Sequence, residues 1–176
     1  MGVRAYFRQE KNKFITFGSF NNFLKINDDV IEVWSSILKK VKNSKLILKS
    51  SSAISQELHK KKFEKFGVLS SIIFLNYSKD FQGHLDKYKQ IDIALDTFPW
   101  NGVTTSFEAA WMNVPVIVMD GFNYNSRCGS SINKNLNLTN LIAKDKEDYI
   151  NIAVNLSQDK DQLLNIRKNL FENVIN

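Results

Sequence analysis

The sequence predicts an α/β fold: a Rossmann-like doubly wound parallel sheet with additional helices after its last strand. Three observations predict it. Short β-branched or aromatic runs, suited to buried strands, alternate with longer segments whose apolar residues recur at helical spacing. No internal repeat or low-complexity linker breaks the alternation. The chain has 176 residues, 43% hydrophobic and 12% aromatic, enough for one ordinary core.

The runs expected as strands are residues 14–17 (FITF), 45–48 (KLIL), 72–75 (IIFL), 91–95 (IDIAL) and 115–119 (PVIVM). Residues 28–42 between them place Val30, Val33, Trp34, Ile37, Leu38 and Val41 on one helical face. Ile54, Leu58, Phe63 and Phe66 mark a second helix, Leu85 and Tyr88 a third, and Phe107, Ala110 and Trp111 a fourth. A strand–helix–strand order implies right-handed crossovers and helices on both faces of the sheet. After Met119 the pattern turns helical, over 126–136, 146–156 and 158–171. Residues 1–13 read as a connector or loose terminus, and 14–176 as one Rossmann-like domain.

Composition narrows the function. The net charge is +6, but the lysines are spread along the chain, as on solvated helix faces. A basic stripe interleaved with aromatics is missing, so a nucleic-acid partner is not expected. Cys128 is the one cysteine, which excludes an internal disulfide and suits a reducing compartment. No run approaches the ~20 apolar residues of a membrane span, and residues 1–14 lack a secretory apolar region. A cytoplasmic location is therefore expected. With His59 and His84 the only histidines, no zinc site is expected. There is no G-x-S-x-G elbow, Walker loop or G-x-G-x-x-G fingerprint. Asp159–Lys160–Asp161 reads as a helix cap with solvated charges.

Doubly wound sheets bind ligands beyond the carboxyl ends of their strands, where strand order reverses. Three strand-exit loops carry polar chemistry. Residues 18–28 (GSFNNFLKIND) hold Asn21, Asn22 and Lys25 before a helix that Asn27 or Asp28 can cap. Lys25 suits a phosphate oxygen, or is a surface lysine beside the cap. Residues 76–88 place His84 near a helix start, in a structural or a functional role. Residues 95–111 (LDTFPWNGVTTSFEAAW) are the most informative. Phe98, Pro99 and Trp100 make a stiff turn, Asn101 and Gly102 bend it, and Thr104 and Thr105 open a helix. Its free N–H groups and two hydroxyls suit a pyrophosphate. Glu108, on the same face, suits the hydroxyls of a ribose. Equally, Thr105 and Glu108 fit a capping box.

In this order, SFNNFLKI, HLDKYKQIDIALDTFPWNGVTTSFEAAWMNVPVIV, NSR and NLIAKDKEDYINIAVNL resemble the catalytic C-terminal half of the O-linked N-acetylglucosamine transferase and SPINDLY glycosyltransferases. The likeness runs from about residue 14 to 171. It implies the donor-binding half of a GT-B enzyme, with its active site between two Rossmann-like domains. By position, Lys25 resembles the lysine on the donor diphosphate that supports leaving-group departure. Asn22 stands where the family faces the nucleotide, and His84 matches a histidine beside the nucleoside. Asn101 and Gly102 form the donor-site turn. Thr104 and Thr105 match the pair that holds the diphosphate, Glu108 an acid on the ribose, and Arg127 an arginine at the site edge. Val103 replaces a histidine of animal members, and Lys79 is a rough counterpart of a basic residue expected before His84.

The likeness further implies inverting transfer from a UDP-sugar, UDP-N-acetylglucosamine first, to protein Ser or Thr, with no cofactor or metal. A GDP-sugar is the alternative, since SPINDLY-type relatives can use GDP-fucose. The family's N-terminal half and tetratricopeptide repeats are the implied partners. The competing expectation is a noncatalytic Rossmann-like module kept for protein interaction.

Overall fold

The structure is a computed structural model and describes residues 14–50 and 52–175. The connector expected over 1–13 lies outside them. The strands are β1 (Thr16–Ser19), β2 (Lys45–Lys49), β3 (Ile72–Leu75), β4 (Ile93–Leu95), β5 (Val116–Met119) and β6 (Ile142–Ala143). The helices are α1 (Asp28–Lys40), α2 (Ala53–Lys65), α3 (Phe81–Tyr88), α4 (Thr104–Trp111), α5 (Cys128–Asn135), α6 (Lys146–Gln158) and α7 (Lys160–Ile175).

Strand alternation sorts the core onto two faces. Leu46, Leu48, Ile93, Leu95 and Ile117 point to one side, against Val30, Trp34 and Ile37 of α1, Tyr149 and Ala153 of α6, and Leu163 of α7. Ile47, Ala94, Val116 and Val118 point to the other, against Leu85 and Tyr88 of α3 and Ala109 of α4. Each large side chain buried this way contributes about 1.5–3 kcal/mol relative to leaving it in water. That two-sided burial is why these strands read as continuous apolar runs.

The neighbour order is β3-β2-β1-β4-β5-β6, every pairing parallel. Strands β1 and β4 are adjacent, with Phe17 opposite Ile93 and Gly18 opposite Ala94. From β1 the chain winds outward through β2 and β3; from β4 it winds the opposite way. The crevice therefore opens beyond Ser19 and Leu95.

The expected elements form, with shifts at their ends. β1 begins at Thr16 rather than at residue 14, so Gly18 and Ser19 belong to the strand and not to the loop. β6 was not expected, since two residues are too short to show a period. Asn27 is the residue that caps α1, its Oδ1 accepting from Val30 N at 2.9 Å. The helix expected over 126–136 starts later, because Asn123 and Ser126 close a capping box around a separate single turn, Tyr124–Ser126. Asp159 accepts from Gln162 N at 2.8 Å, as expected of a cap.

Candidate functional site at the strand-order reversal

The crevice floor is a sealed polar network. Asp96 follows β4 and is 1% exposed. Its Oδ1 accepts from Gly102 N at 2.7 Å, Thr97 N at 2.9 Å and Asn21 Nδ2 at 3.0 Å. Asn21 Oδ1 in turn accepts from Thr105 Oγ1 at 3.0 Å. One asparagine thus joins the exit of β1, the exit of β4 and the first turn of α4. Burial pushes the Asp96 carboxyl up to about 7, against the opposing pull of these hydrogen bonds and of the Lys25 charge. Gly102 is required here: a Cβ would lie 2.5 Å from Thr105 Oγ1 and 2.9 Å from both Asn21 Oδ1 and Asp96 Oδ1. The space beside Asn21, Asp96 and Thr105 is only about 10 Å³. A ligand must therefore lie on the rim rather than in the floor.

Lys25 stands on that rim. Its single turn, Phe23–Lys25, begins at Asn22, whose Oδ1 accepts from Leu24 N at 2.9 Å. Lys25 Nζ donates to Asn101 O at 2.8 Å and lies 5.4 Å from the Trp100 ring centroid. Asn101 is fixed in turn: its N donates to Asn125 O at 2.9 Å, its Nδ2 donates to Thr97 O at 3.0 Å, and its Oδ1 accepts from Gly129 N at 3.2 Å. The Lys25 charge is thereby held beside the turn that runs through Gly102 into α4. Thr104 opens that helix and is exposed, so its N–H and that of Thr105 have no carbonyl behind them in the helix.

The capping-box alternative for Thr105 and Glu108 does not form. Val103 is the N-cap residue and makes no side-chain cap, while the Thr105 hydroxyl is committed to Asn21. Glu108 instead meets α3. Its Oε2 accepts from His84 Nε2 at 2.8 Å and from Tyr88 OH at 3.0 Å. The other His84 ring nitrogen, Nδ1, lies 2.7 Å from Lys49 Nζ. Burial pushes the Tyr88 hydroxyl well above its usual range, and the Glu108 charge adds to this, so Tyr88 remains a donor. Burial lowers the Lys49 ammonium, opposed by the Glu108 charge and reinforced by Lys87.

Arg127 stands apart from these groups. It is exposed, and its Nε donates to Gly121 O at 2.9 Å. It lines a hollow of about 630 Å³ between α4 and α5, with Val103, Phe107, Asp120, Tyr124 and Ser130. This is a larger space than the crevice floor offers, and Val103 lines it next to the turn at Asn101 and Gly102. Among the described residues, no three or more His, Cys, Asp or Glu side chains are grouped to hold a metal ion. Nor is any helix long and apolar enough to cross a membrane.

The model of glycosyl transferase family 41 matches residues 2–176. The chain belongs to glycosyltransferase family 41. It is 38% identical over 154 residues to a protein of Eustoma exaltatum subsp. russellianum, a probable UDP-N-acetylglucosamine–peptide N-acetylglucosaminyltransferase SPINDLY. That alignment covers 82% of this chain and 16% of the relative, so the chain spans about a sixth of the curated relative's length. A solved mutant of the Thermobaculum terrenum O-GlcNAc transferase superposes with a TM-score of 0.88 at 31% identity, over 93% of this chain and 32% of that one. Sucrose-phosphate synthase of Thermosynechococcus elongatus shares the fold alone, with a TM-score of 0.72 at 14% identity over 96% of this chain and 43% of its own. The fold is thus that of a GT-B glycosyltransferase domain, as the sequence led us to expect.

Within this family 41 domain the expected residues form two groups. Lys25, Asn101, Gly102, Thr104 and Thr105 gather at the turn, and His84 and Glu108 meet 2.8 Å apart. Asn22 Oδ1 caps its own turn, with its side chain exposed, while its neighbour Asn21 joins the crevice floor. The lysine that reaches His84 is Lys49. The period of KLILK contained that signal, since Lys49 shares the face of Ile47, the face that α3 covers.

Proposed function

We propose that this domain binds the diphosphate and ribose of a nucleotide sugar and stabilises the departing diphosphate during inverting glycosyl transfer. The observation that carries the reading is the Lys25 ammonium, bonded to Asn101 O on the turn that ends at the open N-terminus of α4. After that bond an ammonium keeps two further protons, which suit phosphate oxygens. The N–H groups of Thr104 and Thr105, their position at the positive end of α4, and the Thr104 hydroxyl supply the remaining donors. Negative charge grows on the diphosphate as the sugar leaves. Fixed donors facing that charge are worth about 3–4 kcal/mol each in a closed site.

On the nucleoside side, Glu108 Oε2 is occupied by His84 and Tyr88, which leaves Oε1 to accept from ribose hydroxyls. UDP-N-acetylglucosamine is the proposed donor and a protein Ser or Thr the proposed acceptor, on the likeness to relatives named as peptide N-acetylglucosaminyltransferases. Arg127 would edge the sugar side. The rim carries Leu24, 93% exposed, and Trp100, 57% exposed. Such a partly apolar rim is what a second GT-B domain would cover. Catalysis then needs that opposite wall.

Isothermal titration of the chain with UDP and GDP side by side tests the reading. Saturable binding of UDP in preference to GDP supports it. Binding of GDP in preference would move the donor to a GDP-sugar, and no heat with either nucleotide would remove the donor-site assignment.

A further inference from the structure

Lys49 ends β2 and is only 7% exposed. Its Nζ sits between two rings, 5.4 Å from the Phe20 centroid and 5.1 Å from that of Tyr77, and 2.7 Å from His84 Nδ1. An ammonium donates only. Nδ1 must therefore accept, and the imidazole carries its proton on Nε2. That proton points at Glu108 Oε2, 2.8 Å away. Tyr88 OH donates to the same oxygen at 3.0 Å. The chain of donation runs in one direction: Lys49 to His84 to Glu108. It draws on three separate elements, β2, α3 and α4.

From this geometry we infer that Lys49 is a positioning residue: it holds His84 in the Nε2–H form, so that Glu108 is fixed by one oxygen and presents the other to a ligand hydroxyl. The inference deepens the donor-site reading and rests on it for the identity of that ligand. Without the Lys49 ammonium, Nδ1 could carry the proton, leaving Nε2 bare against a carboxylate. The two acceptors would then repel, and Glu108 would turn away from His84. Aromatic rings around the Lys49 head favour its charged form, in opposition to burial.

The second histidine gives an internal contrast. His59 Nδ1 lies 2.8 Å from Ser55 O and its Nε2 3.4 Å from Ile26 O, both acceptors only, so the shorter contact places the His59 proton on Nδ1. The full chain, with its two histidines labelled with 15N, should therefore show opposite tautomers at neutral pH. In Lys49→Met the His84 signals should move toward the Nδ1–H form or toward a mixture, while those of His59 stay. Titration with UDP and 2′-deoxy-UDP supplies the ligand readout. The unmodified chain should prefer UDP by about tenfold, as for a hydroxyl bonded to a charged acceptor, and Lys49→Met should lose most of that preference. An Nδ1–H form of His84 in the unmodified chain would overturn the inference, as would an unchanged His84 in Lys49→Met. Should Lys49→Met fail to fold, the unmodified spectrum still decides. If neither nucleotide binds the unmodified chain while the tautomers behave as stated, the donor reading fails and the positioning role stands.

Discussion

The two sides of the crevice are built from different materials. The side of Lys25 and Thr104 is mostly backbone: a glycine turn, a helix end and one ammonium held on a carbonyl. The side of His84 and Glu108 is mostly side chain, with Lys49, Tyr88 and two ring nitrogens linked through charged and neutral partners. A backbone cradle has fixed dipoles and suits a diphosphate, whose charge is large and whose shape is constant. A side-chain network can be altered one atom at a time and suits the part of a ligand that must be discriminated. Changes on the Lys25 side should therefore act mainly on turnover, and changes on the His84 side mainly on affinity.

The largest expected effect belongs to the first side. Lys25→Ala, assayed in an enzyme complete enough to turn over, should lower kcat by about 100- to 1000-fold and donor affinity far less. An unchanged kcat would place the leaving-group charge elsewhere. Next comes the pH response of stability. Asp96 holds its proton up to about 7 when folded, against its ordinary 3.8. The folded chain thus binds more protons between those values. Asp96's favourable contribution is complete below about pH 4 and fades as pH rises through 7, by at most about 1.4 kcal/mol per unit. Denaturant unfolding across that window should show the slope, and Asp96→Asn should flatten it. Gly102→Ala comes third: its Cβ has no room, so thermal unfolding should report a loss of about 1–3 kcal/mol together with weakened nucleotide binding.

On the other side, Glu108→Gln should weaken UDP about tenfold and also lower the melting temperature, since the carboxylate accepts from His84 and Tyr88 and offsets the buried Lys49 charge. The smallest effect is expected from Asn22→Ala. It caps one exposed turn, and a loss of about 0.5–1 kcal/mol in stability is expected with little change in nucleotide affinity. A large affinity loss there would return Asn22 to the ligand and blur the distinction between the sides.

The same contrast explains what the sequence could reveal. The fold was legible because buried strands and amphipathic helices print their period directly on the chain. The turn from Asp96 to Thr105 was legible because its glycine, stiff apolar residues and paired hydroxyls are contiguous. The partnership of Glu108 was not: its local spacing fits a capping box, and His84 and Tyr88 become its partners only once α3 packs against α4. Lys49 and His84 lie 35 residues apart and meet only once β2 and α3 are placed. Asn21 and Asn22 are adjacent and chemically identical, so the choice between them depends on which one the backbone turns toward Asp96.

In the proposed complex the nucleotide's phosphates sit at the N-terminus of α4. Amide chemical-shift mapping of the 15N-labelled chain during UDP titration measures this directly. The largest shifts should fall on Gly102, Thr104, Thr105 and Lys25, with smaller ones at His84 and Glu108. Shifts confined to the hollow around Asp120, Arg127 and Ser130, with the α4 N-terminus silent, would contradict it.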